Sequence, residues 1–305
     1  MTMRVGLLGT GYWARTVHAT ALASHPAAEL AGVWGRDLAK AKALGAEFDV
    51  AGYDDLDALL DQCDAVSISL PPDVQVPLAE RAAAAGKHLL LEKPIALDLD
   101  GADRLVTAVG DAGVASVVFV TARFRTATST WFQQAARTRL DGGAMTWLGA
   151  NYEPDSPFRD SAWRKEHGAL WDLGPHALSL LVPALGQVVS VQAGRGRGDT
   201  VHLVFQHDTG AASTVTLSST VASMASGIDI WLHGEAGRLV LLPDYDTPVE
   251  AHQVAVSELM AAALTGGTHP CDVGFGRDAV AVLAACQQAL ASGCREEVGP
   301  PVAAG

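Results

Sequence analysis

The first 120 residues alternate short, almost wholly apolar segments with longer segments of helical periodicity. The apolar segments, which we predict to be β-strands, span residues 5–8, 30–34, 65–70, 88–91 and 114–120. Strands that are apolar on both faces and separated by helices are typical of a parallel sheet with helices on both sides. We therefore predict a doubly wound α/β domain over residues 1–120.

Residues 121–305 follow a different pattern, in which polar and apolar side chains alternate along the predicted strands. Examples are "TVHLVFQHD" and "AASTVTLSST", which are linked through the short turn "HDTG". This alternation is typical of a mainly antiparallel sheet with one solvated face. Helices are predicted near residues 171–185, 252–264 and 276–291. We expect the second domain to be α+β, with a large, open, mostly antiparallel sheet.

Composition limits the classes of function. The net charge of −13 argues against binding to nucleic acid or to an anionic membrane surface. The four cysteines form no C-x-x-C pair, so we interpret them as reduced thiols. We predict no metal site. The sequence shows no secretion signal and no apolar run of the ~20 residues that span a bilayer, so we expect a soluble cytoplasmic protein.

The segment "GTGYWA" follows the first predicted strand and opens a helix. It matches the dinucleotide-binding pattern G-x-G-x-x-G/A of a Rossmann fold, with Gly9, Gly11 and Ala14 at the three small positions. Gly9 permits the tight turn, Gly11 lets the backbone approach a pyrophosphate, and the helix N-terminus favours the anion. We predict a nucleotide site here, with a purely structural turn as the alternative. Further predicted cofactor contacts are Thr10, Tyr12, Trp13, Leu70 and Pro71.

The end of the second predicted strand bears on the choice between NAD and NADP. NAD-binding proteins usually carry an acidic residue there, which accepts a hydrogen bond from the ribose 2′-hydroxyl. This chain has Gly35 at that position, followed by Arg36. A missing carboxylate removes repulsion from a 2′-phosphate, and an arginine can pair with one. We predict NADP as the preferred cofactor and NAD as the alternative, in which case Arg36 is a surface residue that stacks on adenine.

Glu92, Lys93 and Pro94 follow the apolar run at residues 88–91 with no turn residue between. The carboxyl ends of the strands in a doubly wound sheet are where ligands bind. The residue before a proline is biased towards an extended backbone, so Lys93 is expected to point forward into the binding cleft. Glu92 is expected to pair with Lys93 and to contact the cofactor. A plain Glu–Lys pair at the surface is the alternative.

The segment "GALWDLGPHALSLL" brings a second pair of ionisable residues. Pro175 suits the first turn of a helix, so we predict that a helix begins near Leu173 or Gly174, with Asp172 at or beside its N-cap. Asp172 and His176 are four residues apart and are expected to lie within one turn of each other. A carboxylate beside an imidazole can fix its tautomer and stabilise its protonated form. The alternative is a capping aspartate and a buried structural histidine.

Together these motifs resemble a known family. The segments "GTGYWA", "EKP" and "GALWDLGPH", in this order and spacing, resemble the Gfo/Idh/MocA oxidoreductases, the glucose-fructose oxidoreductase and inositol dehydrogenase family. The stretch "LPPDVQVPLAERAAAAGKHLLLEKPIAL" resembles the signature segment of that family. The resemblance implies a Rossmann domain followed by an α/β domain whose open sheet often forms an oligomer interface. It also implies that Lys93, Asp172 and His176 are the catalytic residues.

Two features depart from the family pattern. The family often has a histidine where this chain has Gln75, and we expect this position to lie away from the chemistry. The chain is also short for the family, so we expect trimmed substrate loops and a pocket that is open or completed by a partner subunit. We expect a homodimer or homotetramer that assembles through the C-terminal sheet.

The predicted activity is hydride transfer between a nicotinamide and a secondary alcohol, or its ketone, of a sugar, cyclitol or related polyol. His176 is the predicted acid/base, and Lys93 is predicted to stabilise the developing alkoxide or to act as the base itself. Asp172 is expected to orient His176 or to hold a second substrate hydroxyl. The candidate substrate contacts are Arg123, Arg125, Trp163 and Arg164. Alternative functions are reduction of an imine or a biosynthetic keto-sugar, cofactor sensing without turnover, and a structural role.

Overall fold

The structure, a computed structural model, describes residues 2–243 and 246–301. They form two compact units, one of residues 2–124 and 246–277, the other of residues 125–243 and 278–301. The predicted domain boundary near residue 121 placed everything after it in one domain, whereas residues 246–277 belong to the first unit. No helix within these two ranges is long and apolar enough to cross a membrane.

The strands are β1 Met3–Leu8, β2 Ala28–Trp34, β3 Gly52–Tyr53, β4 Ala65–Ile68, β5 His88–Glu92, β6 Ser116–Phe119, β7 Leu140–Leu148, β8 Val188–Arg195, β9 Val201–His207, β10 Ala212–Ser218, β11 Gly227–Gly234, β12 Gly237–Val240 and β13 Glu296–Glu297. The helices are α1 Thr20–Ala23, α2 Leu38–Glu47, α3 Leu56–Leu60, α4 Pro72–Ala84, α5 Leu99–Ala112, α6 Thr126–Ala135, α7 Ala162–Leu185, α8 Pro248–Thr265 and α9 Val273–Ser292. A π-helical segment, Ala14–Ala19, leads into α1.

The first unit contains a six-stranded sheet in the order β3-β2-β1-β4-β5-β6, and every neighbouring pair is parallel. All residues of β4 and β6 are buried, as expected for strands covered on both faces. This strand order confirms the predicted doubly wound Rossmann fold. The sequence analysis missed β3, since its two residues carry no periodic pattern.

Short polar side chains fix where several helices of the first unit begin. The carboxylate of Asp37 accepts hydrogen bonds from the amides of Ala39 and Lys40, which caps α2. At the start of α8, Thr247 and Glu250 form a reciprocal capping box. These contacts satisfy amide groups that have no partner within the helix.

Helix α8 explains why the first unit includes a segment from late in the chain. Its buried residues follow a helical stripe: Ala251, His252, Ala255, Val256, Leu259 and Ala262. This stripe packs against β5, β6 and the π-helical segment. Beyond α8, the amide of Val118 in β6 donates a 2.7 Å hydrogen bond to the carbonyl of Cys271. The parallel sheet is therefore completed by residues outside 1–120.

The second unit contains a seven-stranded sheet in the order β12-β11-β7-β10-β9-β8-β13. Its neighbouring strands are antiparallel except for the pair β7 and β10, which is parallel. Strand β9 alternates strictly, with Val201, Leu203 and Phe205 buried and the residues between them exposed. These features confirm a mostly antiparallel sheet with one solvated face.

The predicted start of the central helix is wrong. The segment α7 consists of two helices joined at Gly168, whose φ of 65° and ψ of −167° are not helical. Glycine adopts this positive-φ conformation without a steric penalty, so the second helix starts directly after it, several residues before Leu173. Asp172 consequently lies inside the helix and does not cap it. Pro175 also lies inside, where its missing N–H removes one backbone hydrogen bond without ending the helix.

His207 makes the folding stability of the second unit sensitive to pH. Its Nδ1 lies 2.8 Å from the carbonyl of Gly186 and its Nε2 lies 2.9 Å from Ser213 Oγ. Burial lowers the pKa of His207 below its usual value, although the Gly186 carbonyl and Asp208 oppose this effect. The unfolded chain therefore binds more protons than the folded one just below about pH 6.5. The contribution of His207 to the free energy of unfolding therefore decreases as the pH falls through this range.

We expect the melting temperature to drop as the pH is lowered from about 7.5 to about 5.5, and to drop less steeply in His207→Gln. The exposed His233 provides the control, since His233→Gln should follow the wild-type slope. Differential scanning calorimetry across this range measures the slopes. A His207→Gln slope equal to that of the wild type would contradict the assignment.

Candidate active site

The two glycines of the loop after β1 differ in what the fold requires of them. Gly9 has a φ of 132°, and a Cβ there would lie 2.4 Å from the carbonyl oxygen of Ser69. The turn itself therefore demands glycine at this position. A Cβ at Gly11 would meet no atom within 4 Å. The protein alone gives no reason for glycine at 11, whereas a pyrophosphate approaching the backbone does.

The residues that follow the loop lead to the end of β5. Tyr12 is exposed. Trp13 donates a hydrogen bond of 2.8 Å from its indole Nε1 to Glu92 Oε1. The predicted cofactor loop and the Glu92–Lys93 segment are thus joined directly at the carboxyl edge of the parallel sheet. Leu70 and Pro71 follow β4, a neighbour of both β1 and β5, and lie at the same edge.

The end of β2 gives Gly35 a structural role that the sequence analysis did not foresee. A Cβ at this position would lie 2.7 Å from Cγ2 of Thr10 in the glycine loop. Close packing of the loop against β2 therefore favours glycine whichever nucleotide binds. The neighbouring Arg36 is exposed, and its guanidinium is available to a ligand at this end of the strand.

Glu92 is held through both its side chain and its main chain. Its Oε1 accepts hydrogen bonds from Trp13 and from His18, at 2.8 and 3.1 Å, and its Oε2 accepts one from the amide of Lys93 at 3.2 Å. The side-chain amide of Gln75 bonds the main-chain N–H and C=O of Glu92, both at 2.8 Å. Gln75, which was expected to lie away from the chemistry, is fully buried and fixes the residue next to Lys93.

Lys93 is half-buried and follows Glu92 at the end of β5. The peptide bond between Lys93 and Pro94 is cis. Arg123 lies in a short 3₁₀ turn, Thr121–Phe124, that follows β6 in the first unit. The first unit therefore carries the glycine loop, Arg36, Lys93 and Arg123.

The second unit holds the other predicted catalytic residues, on α7. Asp172 is buried, and its Oδ2 accepts hydrogen bonds from Arg164 Nε at 3.0 Å and from Asn151 Nδ2 at 3.3 Å. The guanidinium of Arg164 also lies over the rings of Phe158 and Trp163, at 4.6 and 4.8 Å from their centroids. Asp172 is therefore the partner of a largely buried arginine. Arg164 and Trp163, predicted as substrate contacts, are thus gathered around Asp172.

His176 lies one helical turn after Asp172 and is buried. Its ring packs against Trp147 of β7, with the centroids 4.6 Å apart and the planes inclined by 44°. Helix α7 therefore presents a carboxylate, paired with a guanidinium, and an imidazole on successive turns. Such a set offers hydrogen-bond donors and acceptors for hydroxyl groups, together with an imidazole that can hold a proton.

Several residues around Glu92 were not predicted from the sequence: His18, Ser67, Gln75 and His252. Gln75 stood inside the signature stretch and was noticed only as a departure from it. His252 could not be predicted, because it lies in α8 and no recognisable motif lies on either side of that helix. Within residues 2–243 and 246–301, no group of three or more histidine, cysteine, aspartate or glutamate side chains is arranged to hold a metal ion.

Comparison with known proteins places the chain among the oxidoreductases. The family model described as "Oxidoreductase family, NAD-binding Rossmann fold" matches residues 3–120. The model of the GFO/IDH/MocA C-terminal domain matches residues 134–240. The chain belongs to the Gfo/Idh/MocA oxidoreductase family. The family predicted from the three motifs is thereby confirmed, together with its NAD-binding Rossmann fold.

Relatives within the Gfo/Idh/MocA family include sugar and cyclitol enzymes. The dTDP-3,4-didehydro-2,6-dideoxy-alpha-D-glucose 3-reductase of Streptomyces antibioticus is 30% identical over 273 residues, which cover 83% of this chain and 79% of that protein. The inositol 2-dehydrogenase of Rhizobium meliloti is 28% identical over 254 residues, covering 78% and 74%. The apo scyllo-inositol dehydrogenase from Lactobacillus casei shares the fold, with a TM-score of 0.83 at 18% identity over 97% of this chain and 98% of that one.

Proposed function

We propose that this protein transfers a hydride between a nicotinamide cofactor and a secondary alcohol, or its ketone, of a sugar, cyclitol or related polyol. The observation that carries the proposal is the 2.8 Å hydrogen bond from Trp13 Nε1 to Glu92 Oε1. It joins a loop suited to a dinucleotide to the segment that carries Lys93. An ammonium group beside a dinucleotide site can stabilise the charge that develops on a reacting oxygen.

The cofactor would be held at the carboxyl edge of the parallel sheet. The amides after Gly9 and Gly11 would bind the pyrophosphate, and Arg36 would bind a ribose phosphate. When bound, the nicotinamide accepts or supplies the hydride. NADP is the proposed preference, supported by the exposed Arg36. Gly35 supports it less than the sequence suggested, because packing against Thr10 already favours glycine there.

Lys93 and His176 are assigned to the reacting group of the substrate, and Asp172 is assigned to positioning Arg164. Lys93 would donate a hydrogen bond to the reacting oxygen, which stabilises an alkoxide more than a hydroxyl. His176 would take or return the hydroxyl proton, since an imidazole titrates near neutral pH. Because the carboxylate of Asp172 already pairs with Arg164, we assign Asp172 to holding that guanidinium in place for a further substrate hydroxyl.

Reduction of a biosynthetic keto-sugar is the second candidate function. The relative from Streptomyces antibioticus, a 3-reductase of a dTDP-linked didehydro-dideoxy sugar, favours it. The same residues would serve. Lys93 would donate a hydrogen bond to the carbonyl oxygen, and His176 would return a proton to it, which reverses the proton transfer of the oxidation.

We also propose that the protein self-associates, as a dimer or tetramer, through the solvated face of the second unit's sheet. Val204 of β9 and Val240 of β12 are exposed apolar residues on this face, and strand pairing places Trp231 between them.

Sedimentation equilibrium is expected to give a mass at least twice that of the chain, and Val204→Lys should lower this mass. A wild-type monomer at micromolar concentration would contradict the assignment.

The cofactor assignment predicts different nucleotide affinities for three single variants. Gly11→Ala adds a methyl group that meets no protein atom, so it should preserve the melting temperature yet weaken both NADH and NADPH by about tenfold or more. Arg36→Ala should weaken NADPH alone, also by about tenfold. Gly110→Ala in α5, equally free of contacts, is the control and should change neither affinity.

Titration of tryptophan fluorescence with each nucleotide measures these affinities. Unchanged binding in Gly11→Ala would contradict the loop as the pyrophosphate site. Equal losses of NADH and NADPH affinity in Arg36→Ala would contradict the NADP preference.

The catalytic assignment predicts that Lys93→Met and His176→Ala each lower kcat by about 100-fold or more while nucleotide affinity persists. Turnover is followed at the nicotinamide absorbance with a panel of sugars, cyclitols and keto-sugars. Matched controls are Lys40→Met and His233→Ala, since both side chains are exposed and lie far from Lys93 and His176 in the sequence. Near-wild-type kcat in both Lys93→Met and His176→Ala would refute the assignment. Nucleotide binding without turnover of any compound would indicate a sensor.

A further inference from the structure

A buried chain of hydrogen bonds leads away from Glu92 into the first unit. Glu92 Oε1 lies 3.1 Å from His18 Nε2, and His18 Nδ1 lies 2.8 Å from Ser67 Oγ. Ser67 Oγ in turn lies 3.2 Å from His252 Nε2. His18, Ser67 and His252 are each fully inaccessible to solvent. They come from the π-helical segment, from β4 and from α8, so three distant parts of the sequence converge on one carboxylate.

Hydrogen-bonding chemistry gives this chain one direction. A carboxylate accepts and does not donate, so His18 Nε2 must carry the proton that faces Glu92. A neutral His18 then accepts at Nδ1 from the hydroxyl of Ser67, and Ser67 Oγ accepts from the Nε2–H of His252. His252 Nδ1 is left with a lone pair and has no hydrogen-bond partner among the described residues.

The opposite direction is disfavoured because it would bury an N–H group at His252 Nδ1 without an acceptor. Burial lowers the pKa of His252 well below its usual value, and the neighbouring His18 adds to the effect. Its ring is enclosed by Phe119, at 4.8 Å between centroids, and by His18, at 4.4 Å. His252 is accordingly a neutral imidazole with its proton on Nε2.

We propose that His18, Ser67 and His252 are positioning residues that orient the Glu92 carboxylate and thereby the backbone of Lys93. This inference rests on the proposed function, in which Lys93 acts on the substrate oxygen. With Oε1 occupied by His18 and Trp13, Glu92 directs Oε2 to the amide of Lys93. Trp13 directly follows the glycine loop, so the same carboxylate orientation sets the end of the loop and Lys93 relative to each other.

Two substitutions at His18 separate this role from simple filling of space. Glutamine places an amide nitrogen near the position of Nε2 and can keep the bond to Glu92, whereas asparagine places its amide oxygen near Nδ1 and can keep only the bond that Ser67 donates. We expect His18→Gln to retain kcat within about threefold, and His18→Asn to lower kcat by about 10- to 100-fold with little change in nucleotide affinity. Ser67→Ala, which removes one hydroxyl, should give an intermediate loss. His25→Gln is the control and should match the wild type, since His25 bonds Ser257 and takes no part in the hydrogen bonds that link His252 to Glu92.

A second readout does not depend on turnover. The indole N–H of Trp13 shares Glu92 Oε1 with His18, so its ¹H–¹⁵N NMR signal should shift in His18→Asn and stay close to the wild-type position in His18→Gln. Trp13→Phe assigns the signal. Long-range ¹⁵N spectra of the wild type should show both His18 and His252 as neutral Nε2–H tautomers.

The outcomes distinguish this inference from the proposed function. If the wild type turns over no compound of the panel, the proposed function fails, and the tautomers and the Trp13 signal still decide whether the chain orients Glu92. Equal kcat in His18→Gln and His18→Asn, at similar melting temperatures, would overturn the positioning role. A protonated His252, or an Nδ1–H tautomer, would overturn the assigned direction. If both His18 variants fail to fold, wild-type kcat and an unshifted Trp13 signal in Ser67→Ala would overturn it instead.

Discussion

The hydrogen bonds to the Glu92 carboxylate are the interaction on which the first unit's site depends. A carboxylate that is mostly removed from water requires donors for both of its oxygens. Trp13 and His18 supply them to Oε1, and the amide of Lys93 supplies one to Oε2. Each donor comes from a different part of the site, so the need to satisfy one charge determines the arrangement of the glycine loop, the π-helical segment and the end of β5. Gln75 adds a main-chain clamp to the same residue.

The second unit meets a similar demand in a different way. Asp172 is buried inside α7 and is neutralised by the guanidinium of Arg164, which lies over two aromatic rings. Removing one partner from such a pair leaves an uncompensated charge, at a cost of about 3–5 kcal/mol. The pair is thus required by the fold, independently of the substrate contact proposed for Arg164.

The sequence predicted those features that local patterns encode. Buried strands such as β4 read as apolar runs because both faces are covered, and β9 reads as an alternation because one face is solvated. Pro175 misled the prediction of α7, since proline usually begins a helix and here Gly168 permits a bend upstream of it. The packing of α8 in the first unit was not predicted, because an amphipathic stripe shows that a helix is packed on one side but not which element it packs against.

Within the site, the motif predicted a turn role for Gly9 and a ligand role for Gly11, and the packing differs accordingly: a Cβ would lie 2.4 Å from the carbonyl oxygen of Ser69 at Gly9 and would meet no atom within 4 Å at Gly11. Gln75 and His252 were missed because their roles arise from contacts between distant segments. Of the charged residues that were predicted, Arg36, Lys93 and Arg123 lie just after strands of the parallel sheet, where topology alone indicates a site. Asp172 was found through its spacing from His176 instead.

The central claim is that a nicotinamide dinucleotide binds at the carboxyl edge of the parallel sheet, with its reactive ring at Lys93. A crystal structure of the protein with NADPH tests this most directly. The account predicts the pyrophosphate on the amides of the Gly9–Gly11 loop, the 2′-phosphate at Arg36 and the nicotinamide ring beside Lys93. A nucleotide bound elsewhere, or bound in the loop with its nicotinamide remote from Lys93, would contradict it.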